Sequence, residues 1–390
     1  YDGQAVKPVL PAEAEFAGPA WVFGDSQYTH AMGGIVAIYE RDGASHLTRI
    51  RDGKAEEITL PFSVLMGIAA LGDDRVVMLA ASGTEPTQAV VVDAQGSLEV
   101  LTRSAEVNLD PAYLSRPHSI SYPTGDGATA YGFYYPPTNP DYEAPPGEKP
   151  PLLVFVHGGP TGATVPVLSM GLQFWTSRGF AVVDVNYRGS TGYGRAFRNE
   201  LRGNWGVCDI EDAVAAARYL VQEGLADPER LAIRGGSAGG YTTLAAATFT
   251  DTFKAGASYF GISDLGALAR DTHKFESHYL DRMVGAWPAE EETYRARSPL
   301  FHLDRLKTPL ILLQGLDDRV VPPNQAELMV EALRERGIPV AYVAFPGEGH
   351  GFRQAANIKR ATEAEYSFYC RILGFPPSEP MEPLPIWNLD

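Results

Sequence analysis

Arg234-Gly235-Gly236-Ser237-Ala238-Gly239-Gly240-Tyr241 is the stretch on which the reading of this chain turns. An apolar run, Arg230 to Ile233, leads into it, and a helix-forming run, Tyr241 to Phe249, leaves it. Strand, G-x-S-x-G and helix, in that order, make a nucleophile elbow. The serine must sit on a strained turn so that its hydroxyl stands clear of a sheet edge. Glycines on both sides let strand and helix approach closely. The helix that follows points its positive end toward charge developing beside the serine.

Working outward from the elbow, apolar runs of strand length alternate with helical patterns. Leu152–Val156 and Phe180–Val185 read as strands before it, and residues 255–260, 309–313 and 340–345 read as strands after it. Helical patterns span Met170 to Arg178, Asp209 to Gln222, Asn324 to Arg336 and Ile358 to Leu373. Asp209 and Asn324 are expected as N-caps, and Gly337 as a helix stop. Such alternation predicts a mostly parallel sheet covered on both faces. Ligands then bind beyond the carboxyl ends of the strands, where Ser237 stands.

An acylating serine needs a base, an orienting acid and donors for an oxyanion. In α/β-hydrolases the chain order is Ser, then Asp or Glu, then His. The strand ending at Leu313 is followed by Gln314-Gly315-Leu316-Asp317-Asp318-Arg319-Val320-Val321-Pro322. The strand ending at Phe345 is followed by Pro346-Gly347-Glu348-Gly349-His350-Gly351-Phe352. Both loops fall on the same sheet edge as Ser237, so His350 is the expected base. Spacing alone does not separate Asp317 from Asp318 as the acid. His157-Gly158-Gly159-Pro160, after the first strong strand, matches an HGGG-type loop that supplies one oxyanion donor. The N–H of Ala238, directly after the serine, supplies the other. His157 itself is expected to brace the loop.

The segment before about residue 115 is different. Residues 20–23, 34–39, 46–50 and 57–60 are short β-type runs, with turns at Arg41-Asp42-Gly43 and Arg51-Asp52-Gly53. A second set follows at residues 65–70, 75–80, 89–92 and 98–101. Sets of four short strands, repeating at an interval of about 50 residues, resemble propeller blades. Two blades close no ring, since propellers have about 4–8. The chain also opens on Tyr1 rather than methionine, so the segment reads as the end of a larger propeller. Exposed blade edges favour self-association, which keeps a homo-oligomer among the readings. Leu109 to Pro123 reads as linker, and the proline-dense Tyr135 to Pro151 as a loop. The expected domains are therefore 1–115, about two blades, and 116–390, the catalytic domain.

Composition narrows the partners. The 390 residues are 45% hydrophobic and 21% charged, which fits a globular chain rather than a disordered one. A formal charge of −16 disfavours nucleic acid or an anionic membrane as the main partner. No apolar stretch is long enough to span a bilayer, and no signal-peptide pattern opens the sequence. Cys208 and Cys370 make no disulfide framework, and a cytoplasmic setting is expected. No metal is expected. His273 and His278 stand five apart, which on a helix turns them to different faces. G-x-G-x-x-G and Walker A strings are absent, so no nucleotide cofactor is expected.

Taken together, His157–Pro160, the run 186–194, Gly235–Tyr241, Gln314–Pro322 and Gly349–Phe352 resemble the prolyl oligopeptidase family of serine peptidases. The resemblance is to its acylaminoacyl-peptidase and dipeptidyl-aminopeptidase-like branch. It implies a β-propeller before an α/β-hydrolase domain, and an acid three residues after the loop glycine Gly315, which is Asp318. It also implies a substrate pocket with aromatics after the elbow strand, a role open to Phe275 and Tyr279, four apart, with ordinary core packing as the alternative. Val320 and Val321 form a second expected wall. Many relatives carry Tyr after the serine; Ala238 here implies a more open pocket.

The expected fold class is α/β, an α/β-hydrolase domain preceded by a partial β-propeller. The expected activity is a serine peptidase hydrolysing short peptides, of aminopeptidase, acylaminoacyl-peptidase or dipeptidyl-peptidase type. Ser237, Asp318 and His350 are its catalytic residues, and the Gly159 and Ala238 N–H groups its oxyanion hole. A carboxylesterase on the same scaffold is the alternative, and an inactive binding module a third reading.

Overall fold

Asp42-Gly43 and Asp52-Gly53 take positive φ at both positions, 52° and 75°, then 49° and 72°. That backbone makes a two-residue turn whose twist matches the flanking strands. Arg41 is thereby paired with Ala44, and Arg51 with Lys54. In this computed structural model, which describes residues 5–18, 21, 23–272 and 274–389, both turns belong to the first of two four-stranded antiparallel sheets. The first contains β1 (Tyr28–Ala31), β2 (Gly34–Arg41), β3 (Ala44–Arg51) and β4 (Lys54–Ile58). The second contains β5 (Val64–Leu71), β6 (Arg75–Ala81), β7 (Gln88–Asp93) and β8 (Leu98–Arg103). Val36, Ile38 and Leu47 from the first sheet share one core with Leu65, Val76, Met78, Val90 and Val92 from the second.

The expected strand at residues 20–23 is not the one that opens the first sheet; Tyr28–Ala31 is. Ala20 and Val22 lie outside the described residues. Trp21 and Phe23 are exposed and belong to no strand, so their apolar character is not matched by a partner strand.

The chain divides into two compact units. One is Tyr1–Pro117 with Val165–Met170 and Ser190–Arg198; the other is His118–Thr164, Gly171–Gly189 and Asn199–Asp390. Within the first, the buried Glu15 carboxylate accepts the Gly192 N–H over 2.8 Å and faces Arg198.

The second unit is organised on an eight-stranded sheet. Its strands are β9 (His118–Pro123), β10 (Thr129–Tyr135), β11 (Leu152–Val156), β12 (Ala181–Asn186), β13 (Leu231–Gly236), β14 (Ala255–Tyr259), β15 (Leu310–Gly315) and β16 (Val340–Phe345). Their spatial order is β9-β10-β12-β11-β13-β14-β15-β16. All pairings from β12 to β16 are parallel; β9 and β10 add an antiparallel edge. Leu109 to Pro123 is thus not all linker. β9 is a mostly exposed edge strand, so its polar residues and terminal proline hide it from a hydrophobic pattern. Residues 136–150 carry no helix or strand, in line with their prolines.

From β12 to β15 both faces of the sheet are buried, which is why these strands are apolar runs rather than alternations. Val154, Val183 and Ile233 turn to one side, against the helix Cys208–Gln222 and the helix Ala238–Phe249. Leu153, Val182 and Ala232 turn to the other, against Trp175 and the helix Ala355–Leu373. Each fully buried Val or Leu contributes about 1.5–3 kcal/mol.

Two helix starts differ from expectation. Asp209 lies inside its helix, fully buried, and accepts from Gly206 N–H and the Thr242 hydroxyl instead of capping. The helix Asn324–Glu335 has no side-chain cap; Pro323 occupies the cap position, and Pro322 and Pro323 carbonyls accept the first N–H groups.

Candidate active site

β13 ends at Gly236, and the next residue, Ser237, has φ 57° and ψ −120°. A side-chain-bearing residue held there costs about 1–3 kcal/mol. The turn is held from both ends. Ser237 N–H donates to the Tyr259 carbonyl at the end of β14 (3.0 Å), and the Ser237 carbonyl accepts from Tyr241 N–H (2.9 Å). Close approach explains the flanking glycines. A methyl on Gly235 would fall 2.4 Å from the Gly239 carbonyl, and one on Gly239 would fall 2.1 Å from the Val156 oxygen.

His350 Nε2 lies 2.9 Å from Ser237 Oγ, and its Nδ1 lies 2.8 Å from Asp318 Oδ2. A carboxylate only accepts, so Nδ1 carries the proton and Nε2 is free to accept the serine proton. The Asp318 side chain is fully buried, while that of His350 keeps 23% of its surface exposed. The other Asp318 oxygen accepts from the N–H groups of Val320 (2.8 Å) and Val321 (2.9 Å). Asp317, the competing acid, is exposed, and its N–H donates to the Glu348 carbonyl over 2.9 Å.

Glu348, two residues before His350, fixes the base loop. Its carboxylate accepts from Arg353 N–H, Gln354 N–H and the Asn357 amide, each at 2.9 Å. The Asn357 hydrogen bond, with the two N–H groups, holds its carboxyl below the ordinary range.

The loop His157–Pro160 passes directly beside the serine. A methyl on Gly158 would lie 3.1 Å from the Gly236 oxygen and 3.5 Å from Ser237 Cβ. His157 is stacked on Tyr187, with ring centres 4.3 Å apart, and burial pushes its pKa down to about 4. A neutral, stacked imidazole is a brace. Tyr187 donates its hydroxyl to the Pro160 carbonyl over 2.9 Å. Next to Tyr187, Arg188 is buried against Asp212 and paired with Glu211.

Of the residues assigned to a pocket, Phe275 and Tyr279 stand on separate short elements. Phe275 is 70% exposed, in the short turn Lys274–Glu276, whereas Tyr279 opens the helix Tyr279–Met283. The Tyr279 hydroxyl meets Thr161 Oγ1 (2.7 Å) and accepts from Thr161 N–H (3.2 Å). Burial pushes that phenol up to about 12. Val321 is a core residue and so forms no open wall; Val320 is half-buried. Tyr187, Thr161 and Phe260, whose ring lies 4.9 Å from that of His350, were not singled out by sequence. The one signal for Phe260 was its place at the end of the expected strand 255–260, at the edge that carries Ser237.

His273 lies outside the described residues, and the exposed His278 pairs with Asp281. Among the described residues no group of three His, Cys, Asp or Glu is placed to hold a metal ion. No helix of the described residues is long and apolar enough to cross a membrane.

A sequence model of the prolyl oligopeptidase family matches residues 166–375. Dipeptidyl aminopeptidase BIII of Pseudoxanthomonas mexicana is 35% identical over 230 residues, covering 57% of this chain and 33% of the relative. The acylamino-acid-releasing enzyme of Arabidopsis thaliana is 32% identical over 217 residues, covering 52% and 28%. The structure of a Mycobacterium tuberculosis puromycin-hydrolyzing peptidase superposes with a TM-score of 0.94 at 46% identity, covering 99% of this chain and 59% of that one. The chain spans a third or less of the length of these two curated relatives. The fold is an α/β-hydrolase domain preceded by part of a β-propeller.

Proposed function

Because this chain belongs to the prolyl oligopeptidase family, we propose that it carries the catalytic centre of a serine peptidase that cleaves short peptides. On this reading residues 1–115 are the end of a propeller and 116–390 the catalytic domain. The observation that carries it is the hydrogen-bond chain Ser237–His350–Asp318, with steps of 2.9 and 2.8 Å.

Ser237 Oγ attacks the scissile carbonyl carbon as His350 Nε2 takes its proton. Asp318 holds the imidazole and stabilises the imidazolium. The Gly159 and Ala238 N–H groups receive the oxyanion. The imidazolium then protonates the leaving amine as the C–N bond breaks, which leaves an ester on Ser237. Water, deprotonated by the same base, hydrolyses that ester. Each oxyanion donor is worth about 2.7–4 kcal/mol in such a centre. The relatives' names favour unblocked or acylated amino ends, so aminopeptidase, acylaminoacyl-peptidase or dipeptidyl-peptidase action is the finer proposal. A cytoplasmic setting belongs to the same reading, where the free thiols of Cys208 and Cys370 stay reduced.

The test is a fluorophosphonate probe followed by a substrate panel. Labelling at Ser237, with cleavage of aminoacyl- or acylaminoacyl-nitroanilides, is expected. Cleavage of nitrophenyl esters alone would replace the peptidase by an esterase, and absence of labelling would replace both by a binding module.

A further inference from the structure

Phe260 is a non-glycine residue at φ +40°, a left-handed backbone that residues bearing a β-carbon rarely adopt. It directly follows β14, and its neighbourhood touches every arm of the triad. The carbonyl of the preceding residue, Tyr259, accepts the Ser237 N–H over 3.0 Å. The Phe260 N–H donates to the Leu313 carbonyl over 2.8 Å, on the strand that leads to Asp318. The Phe260 ring lies against His350, centres 4.9 Å apart and planes tilted by 60°. Glycine would adopt this φ without steric strain, so a Phe held there points to a use for the ring.

That ring has no slack. A methyl on Gly236, beside the nucleophile, would come within 3.0 Å of it. Phe352 meets it edge-on at 5.5 Å, and Tyr259 does so at 6.2 Å. Phe352 is backed in turn by Phe345 at 4.5 Å. The imidazole of His350 therefore has a packed aromatic wall on one side, while its two nitrogens are committed to Ser237 and Asp318. An imidazole has one soft rotation about its Cβ–Cγ bond, and the two hydrogen bonds resist it only while both partners stay in place. A wall of fixed rings limits that rotation when the serine proton moves.

We propose that Phe260 is a positioning residue for the general base: its strained backbone ties the serine and acid strands together, and its ring holds the His350 imidazole in line. The proposal rests on the serine-hydrolase reading of the triad and adds a residue to it.

The experiment compares the 390-residue chain with Phe260→Gly, Phe260→Leu and Phe260→Tyr. Active sites are counted with the fluorophosphonate, and kcat and KM are measured per labelled site on the nitroanilide that the unmodified chain cleaves. Phe260→Gly and Phe260→Leu are expected to lower kcat per site by about 10- to 100-fold with KM nearly constant, because a misplaced base slows proton transfer without loosening the substrate. Phe260→Tyr, which keeps the ring, is expected to retain kcat within about threefold on the same argument. In parallel, the low-field proton resonance of His350 Nδ1–H is followed by NMR. It is expected in the unmodified chain and in Phe260→Tyr, and broadened in Phe260→Gly.

A ring that only filled space would lower the count of labelled sites and leave kcat per site unchanged, and that result overturns the proposal. So does an unaltered Nδ1–H resonance in Phe260→Gly. If the unmodified chain neither labels nor turns over, the peptidase reading fails, and the resonance still decides whether Phe260 orders the imidazole.

Discussion

The N–H of Asp317 donates to the carbonyl of Glu348 over 2.9 Å. The loop bearing Asp318 is thus bonded to the loop bearing His350, independently of any contact with the serine. The approach is close enough that a methyl on Gly315 would sit 2.5 Å from the Glu348 oxygen. Acid and base are pre-assembled as a pair, to which β13 adds the nucleophile.

Replacing Asp318 with Asn is expected to lower kcat by about 10⁴-fold, because the amide favours the wrong imidazole tautomer. Asp317→Asn removes an exposed carboxylate and keeps its backbone donor, so activity should stay within about twofold of the unmodified chain, as for a surface substitution. Kinetics on one nitroanilide substrate separates the two acids.

Ser237→Ala should abolish fluorophosphonate labelling and leave the fold intact. Ser237→Gly should also be inactive, yet more stable than Ser237→Ala by about 1 kcal/mol, since glycine accepts φ 57° without strain. Urea unfolding of the two variants measures the difference. Equal midpoints would show that the elbow stores no strain.

Glu348→Ala should destabilise the chain at neutral pH and slow turnover, by releasing the start of the helix Ala355–Leu373 and with it the His350 loop. A carboxyl held below its ordinary value stabilises the fold above its unfolded pKa, about 4.3, and loses that contribution as pH falls through the lower folded value. The gap in unfolding midpoint between the two chains should therefore be full near pH 7 and close below about pH 4. A gap that persisted in acid would mean the carboxylate charge is not what holds the loop.

Tyr279→Phe keeps the ring and removes the hydroxyl that meets Thr161. A hydrogen bond of this kind is worth about 0.5–1.5 kcal/mol, so turnover should fall several-fold through a looser His157–Thr161 loop, with KM little changed. A raised KM at constant kcat would instead return Tyr279 to the role of a pocket wall.

Gly239→Ala should fail to fold or lose about 1–3 kcal/mol or more, because the new methyl meets the Val156 backbone, which cannot rotate away. Circular dichroism and thermal melting check it.

The parts of the site legible in sequence are those where backbone chemistry leaves a local signature. A serine between glycines after an apolar run marks an elbow, since few other residues permit that strand–helix approach. Asp-Gly at residues 42–43 and 52–53 marks two-residue hairpins for a similar reason. The edge strand β9 left little trace, because a half-solvated strand needs no run of apolar residues. Phe275 and Tyr279 were paired through the family resemblance, and the sequence carried no sign that they fall on two separate short elements.

What the sequence determined by itself was the alternation of buried strands and helices from β11 to β16, the elbow and the loops that end on its edge, because each depends on neighbours within a few residues. Spacing left Asp317 and Asp318 undivided; the family resemblance pointed to Asp318, and the tertiary structure sets its carboxylate against the imidazole. It also decided that Val321 is core, that Tyr279 reaches Thr161, and that Phe260 touches His350. Those outcomes depend on residues as much as 118 positions apart in the chain meeting across strands, and no local pattern encodes the register that brings them together.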